Sequence, residues 1–170
     1  MPKSPEIVAF LEALREKDIP REIPATPMRA VIDTNVLMDF WHFKDPEAAP
    51  LLRLLEARAF IAIRDVETEN EFAEVIGRPC FGVPLEEQKR ILLLWHRLAY
   101  GFSRTRPAAL GCKDPLDQKL FDLALSGEAD LLITKDRLVQ KAGRRTKKAG
   151  LLVLGPAEAA ETIRLFPTIS

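Results

Sequence analysis

Ala30-Val31-Ile32-Asp33-Thr34-Asn35 decides the reading of this chain. Three apolar residues in a row read as a short strand buried on both faces, because a strand with one wet face would alternate. The acid that comes next stands where such a strand meets solvent. Similar short runs recur at Phe60-Ile61-Ala62-Ile63, Leu131-Leu132-Ile133 and Leu151-Leu152-Val153-Leu154. Amphipathic stretches lie between them. One helix opens near Asp45-Pro46-Glu47 and carries Leu51, Leu52, Leu54 and Leu55. Another fits residues 66–77, with Phe72, Val75 and Ile76 inward. Pro84 to Tyr100 fits a third, with Ile91, Leu94, Trp95 and Leu98 on one face. A fourth, Pro115 to Ser126, ends at Gly127 as a C′ residue, and Pro156 opens the last. Buried strands alternating with helices imply an α/β fold of three layers, α/β/α, around a central parallel sheet.

Upstream, residues 5–17 read as a helix capped by Ser4, with Pro5 in its first turn and Ile7, Phe10, Leu11 and Leu14 on one stripe. Pro20, Pro24 and Pro27 stiffen the segment between this helix and the first strand. Residues 1–28 therefore read as a helix and Pro-rich connector, and residues 29–170 as the main domain. A chain of 170 residues suits one such domain. Its 47% hydrophobic content excludes disorder, and no apolar run is long enough for a membrane span. The N-terminus lacks the apolar core of a signal peptide. Cys80 and Cys112 show no metal-ligand spacing to a histidine; they allow one disulfide but read better as two buried thiols of a cytoplasmic protein.

Net charge is zero, but its distribution is uneven. Lys135, Arg137, Lys141, Arg144, Arg145, Lys147 and Lys148 stand against Asp136 alone. Such a run can hold phosphates on a neutral protein. It also reads as an ordinary solvated helix and loop.

Ligands of open parallel sheets bind beyond the carboxyl ends of the strands. Asp33 follows one strand directly, and Asp136 follows another through Thr134-Lys135. Asp114 and Asp117 begin a helix, and Glu71 flanks the apolar face of the helix after the second strand. Carboxylates brought together repel one another, and a divalent cation relieves the repulsion. Hard oxygen donors select Mg2+ or Mn2+. His42 and His96 are too few and too scattered for an acid–base pair. Each acid also has a structural reading. Asp33 and Asp136 suit helix N-caps, Asp114 and Asp117 suit a helix start, and Glu71 suits a surface shared with Glu67, Glu69 and Glu74.

Val31-Ile32-Asp33-Thr34-Asn35-Val36-Leu37 resembles the opening motif of PIN domains. Glu71-Phe72-Ala73-Glu74-Val75-Ile76-Gly77-Arg78-Pro79 is similar to the central helix of the PIN subgroup assigned as toxins of toxin–antitoxin systems. Asp114-Pro115-Leu116-Asp117, then Ala124, Ala129-Asp130 and Leu132-Ile133-Thr134-Lys135-Asp136, resembles that subgroup's closing half. The match spans roughly residues 29–154 in the order one domain requires. It implies a nuclease with Mg2+ or Mn2+ held by Asp33, Glu71, Asp117 and Asp136, and Asp114 as a fifth acid. Asn35 and Thr134 would orient carboxylates or water. The implied activity is endoribonuclease cleavage of single-stranded RNA by metal-activated water. The implied partners are RNA, a small antitoxin protein and further copies of the chain, with no membrane. The N-terminal helix departs from the family pattern, which begins at the first strand. A PIN fold that binds RNA or protein without catalysis is the alternative, and the complete acid set favours the enzyme. An aspartyl-phosphate phosphatase wants a second carboxylate two residues after the first, where Asn35 stands.

Overall fold

A computed structural model describes residues 4–19, 21–103 and 115–166. Its centre is a five-stranded, all-parallel sheet: β1 (Arg29–Ile32), β2 (Ile61–Arg64), β3 (Ala99–Gly101), β4 (Leu131–Ile133) and β5 (Leu152–Leu154). The spatial order is β3-β2-β1-β4-β5. From β1 the chain builds outward on one side through β2 and β3, then returns to β1's other edge with β4 and β5. The order reverses between β1 and β4, and at such a point the loops leaving the strand ends diverge and open a crevice.

Alternate residues of the strands feed two cores. Ala30, Ile32, Ala62, Leu131 and Ile133 face the larger one. It is built with α1 (Pro5–Glu16), α2 (Thr34–Trp41), α3 (Ala49–Glu56), α4 (Val66–Ile76), α5 (Leu85–Leu98) and α8 (Pro156–Leu165). Val31, Ile61, Ile63 and Leu132 face the smaller one, against α6 (Pro115–Ser126) and α7 (Arg137–Ala142). Both sheet faces are thus covered, which is why the strands read as continuous apolar runs.

Three sequence expectations change. The helix read over Pro84 to Tyr100 ends at Leu98, and Ala99–Gly101 is a fifth strand paired with β2. Nothing punctuates that junction, since the strand follows the helix without a Gly or Pro before it. Gly127 is not in the left-handed region; Glu128 is, with φ 53°. Gly127 is required instead by close packing, because a Cβ there would stand 2.5 Å from Ile63 Cδ1. Cys80 is exposed on a surface turn rather than buried, and Cys112 lies outside the described residues.

The N-terminal helix shares the larger core. Ser4 Oγ accepts from Ile7 N at 3.3 Å and caps α1. Ile7 and Leu11 are fully buried, each worth about 1.5–3 kcal/mol of apolar burial. The Arg29 guanidinium ties the connector down, donating to the carbonyls of Ile23, Pro24 and Gly127 at 2.6–2.9 Å.

Candidate active site

At the carboxyl ends of β1 and β4, the chain turns into α2 and α7. Asp33 occupies the N-cap position of α2 but makes no capping bond with its side chain. Its carboxyl instead accepts from Thr134 Oγ1 at 2.7 Å. Thr134, fully buried, also accepts from Asp136 N at 3.1 Å. One hydroxyl therefore ties the end of β1 to the turn after β4. Asn35 Oδ1 accepts from Lys135 N at 3.4 Å and closes the same turn from the other side. Asp136 is the working N-cap of α7, accepting from Leu138 N at 2.8 Å.

These groups line an open cavity of about 350 Å³. Asp33, Glu71, Asp117 and Asp136 all face it, together with Asn35, Arg78 and Lys135. Four acids from β1, α4, α6 and the β4–α7 turn thus meet at the strand reversal. Asp114 lies outside the described residues.

Electrostatics separates Asp33 and Glu71 from ordinary surface acids and caps. Burial pushes the Asp33 carboxyl above its ordinary range, and the Asp136 charge adds to the rise. The Thr134 hydroxyl opposes it, as do the N–H groups of Thr34 and Asn35, which lie near without reaching capping geometry. Glu71 is raised to about 7, first by burial and then by the Asp33 charge. Lys119 and Thr34 offset only part of that rise. Two neighbouring carboxyls are therefore held in a state a cation would relieve.

The donor set fits a hard divalent ion, since it offers only carboxylate, amide and hydroxyl oxygens. Among the described residues, no three His, Cys, Asp or Glu side chains are gathered closely enough to hold a metal by themselves.

Several functional groups escaped the sequence reading. Lys135, read as a phosphate contact, stands 2.7 Å from Asp39 Oδ2 in an ion pair, off the angle of a good hydrogen bond. Asp39 is only 3% exposed, so Lys135 neutralises a buried acid at the cavity wall. Arg137, Arg144, Arg145, Lys147 and Lys148 are exposed, spread over α7 and two short turns, and do not line the cavity. Val75, read as inward, lines the cavity, and so do Phe43 and Phe81.

A second cavity of similar size, about 360 Å³, opens beside it at the ends of β2 and β3. Its floor is a paired network. Glu69 and His96 are both buried, though the sequence read Glu69 as one of several surface acids. His96 Nδ1 meets Glu69 Oε2 at 2.6 Å, and its Nε2 meets Asp18 Oδ1 at 2.7 Å. Arg15 donates to Glu69 at 3.0 Å, and Arg64 stands 3.6 Å from Asp18.

The model of the PIN domain matches residues 29–138. The chain belongs to the PIN-domain family. The match runs from the start of β1 into α7, so it encloses all four acids of the cavity. PIN domains are in general nucleases, typically use divalent metal ions and commonly bind RNA. No curated protein matches the chain in sequence. Among the described residues, no helix is long and apolar enough to cross a membrane.

Proposed function

We propose that this PIN domain is a Mg2+- or Mn2+-dependent endoribonuclease that hydrolyses single-stranded RNA in the cavity lined by Asp33, Glu71, Asp117 and Asp136. The observation that carries the reading is the opposition between burial and charge there. Asp33 and Glu71 sit in one cavity, both raised, with Asp33's charge lifting Glu71 further. A fold gains nothing in stability from such a pair, and a nuclease gains a cation site.

Asp33, Glu71, Asp117 and Asp136 would hold the ion. The chemistry such an ion supplies is neutralisation of phosphodiester charge and acidification of water. Thr134 fixes the Asp33 carboxylate in one orientation and bonds the Asp136 backbone. Glu71, near 7 without an ion, is the member of the set that an arriving cation would most strongly shift toward its ionised form. Arg137, Arg144, Arg145, Lys147 and Lys148 add affinity for the strand outside the cavity rather than chemistry. The finer role, the toxin of a toxin–antitoxin pair, is supported by the resemblance of residues 71–79, and a small antitoxin is the partner it brings. A cytoplasmic location goes with that role.

Cleavage of a labelled single-stranded RNA, followed while Mg2+ or Mn2+ is titrated, tests the reading. Activity is expected to require the ion and to fall at least about a hundredfold in Asp33→Asn, the scale on which proton-transfer and electrostatic groups act. Cleavage that survives both chelation and that substitution rules the mechanism out.

A further inference from the structure

The cavity has an apolar lip as well as an acidic floor. Phe43 and Phe81 line it together with Asp33 and Glu71. Phe43 is 56% exposed, an unusual fate for a phenylalanine beside charged groups. The ring does not stand alone. His42 lies 4.7 Å from Phe43 and 5.3 Å from Phe81, centroid to centroid, and Phe43 lies 5.7 Å from Phe81. All three contacts are edge-on, so the rings brace one another without stacking face to face.

The backbone holds this arrangement outward. His42 N and Phe43 N both donate to Met38 O at 2.9 Å, closing the end of α2. Asp45 N donates to Asp39 O at 3.0 Å and pins the far side of the turn. Lys44, between them, takes φ 52°, a left-handed conformation costly for a residue with a Cβ. Four residues are thus fixed so that an aromatic ring faces water at the mouth of the cavity. Solvent exposure of Phe43 adds nothing to the stability of the fold.

We propose that Phe43, braced by His42 and Phe81, is a stacking shelf for one nucleobase of a single-stranded RNA whose phosphate reaches the carboxylate cavity. The inference rests on the nuclease reading of that cavity. A base offers a flat π-face, and stacking on exposed aromatic rings is how proteins hold unpaired strands without reading their sequence. The cavity's roughly 350 Å³ lies within the range of small-ligand sites, enough for one splayed nucleotide rather than a duplex. Arg78 lines the same wall but is paired with Glu74 at 2.9 Å, so the grip on a base comes from the rings. The shelf therefore selects single strands, because a base kept inside a helix cannot turn onto it.

The test is fluorescence anisotropy with two labelled probes, an adenylate decamer and the same decamer with abasic riboses. The full chain carries Asp33→Asn so that the probes stay intact, and Phe43→Ala or Phe43→Trp is added. Phe43→Ala is expected to weaken the adenylate strand by about tenfold, the loss of one base stack. It should leave the abasic strand unchanged, and Phe43→Trp should keep wild-type affinity. Equal loss on both probes, or none on either while both still bind, overturns the shelf alone and leaves the exposed rings to a protein partner. A chain with intact Asp33 that neither binds nor cuts the adenylate strand overturns the nuclease reading as well.

Discussion

Glu69 and Glu71 stand two residues apart on α4, about 200° around the helix, and meet opposite worlds. Glu69 points into the network at the ends of β2 and β3. Burial there pushes its carboxyl up, but the His96 hydrogen bond and the charges of Arg64, His96 and Arg15 outweigh burial and hold it below the ordinary range. Glu71 points into the cavity at the ends of β1 and β4. Burial also pushes it up, but its strongest charged neighbour is Asp33, so it reaches about 7. Burial acts alike on both; the partners differ. Where cations crowd the acid it helps hold the fold together; where its strongest charged neighbour is another acid, Lys119 offsets only part of the rise. The two cavities have nearly equal volumes, so size does not distinguish them.

One substitution made at both sites should break this comparison if it is wrong. Glu69→Gln keeps shape and removes charge, leaving Arg15, Arg64 and His96 around a neutral amide. Loss of about 3 kcal/mol is expected from chemical denaturation at pH 7, since removing one partner of a buried ionic network strands the others. A change below about 1 kcal/mol would mean the network is not a stabilising unit.

Glu71→Gln should act with the opposite sign in metal-free protein. The folded carboxyl titrates near 7 and the unfolded one near 4.5. Between those values the folded state binds more protons than the unfolded state. Stability from this group is therefore full below about 4.5 and is lost as pH rises through 7. The full shift would be worth about 3 kcal/mol, but Glu71 is half-exposed and screening reduces it to about 1–2 kcal/mol. Glutamine mimics the protonated acid, so the variant should exceed wild type by that amount at pH 8 and match it at pH 4.5. Parallel melts in chelator check this, and a wild type that gains stability from pH 5 to 8 relative to the variant would contradict the assignment. Glu69, lowered in the fold, contributes the reverse limb, present above its unfolded value and lost toward acid.

The cavity was more legible than the network, for physical reasons. Asp33 and Asp136 follow apolar runs closely, so their place at the strand ends is encoded locally. Glu71 came through its motif register. Glu69 looked like a surface acid and His96 like a stray histidine, because charged types are rarely buried. A signal was present: Glu69, Phe72, Ala73 and Ile76 share one helical stripe, as do Leu92, Trp95 and His96, and all of these are buried. What no local pattern held was their partners, since Arg15 and Asp18 come from the far N-terminus and Arg64 from the end of β2. The same limit hid β3, three residues with no β-branched side chain that acquire strand character only by pairing with β2. Phe43 was equally silent, because its exposure depends on the turn at Lys44.

Asp136 sharpens the contrast most finely, because it belongs to both kinds of acid at once. It caps α7 through Leu138 N, a stabilising use, and it raises Asp33 by like charge, a costly one. Asparagine caps a helix about as well as aspartate, so Asp136→Asn should keep the first and abolish the second. Asp136's charge ranks behind burial, the Thr134 hydroxyl and the Thr34 N–H in its effect on Asp33. The variant should therefore be slightly more stable than wild type in chelator at neutral pH, by a few tenths of a kcal/mol, the scale of a partly exposed charge pair. Adding Mn2+ should reverse the order, because an ion that binds only the folded state stabilises most the chain that binds it best. If Asp136 were a cap and nothing more, the variant would melt with wild type or slightly below it, having lost a favourable charge at a helix N-terminus, and the ion would not change that order. Equal melts in both conditions would remove Asp136 from the site and leave the cavity three acids among the described residues.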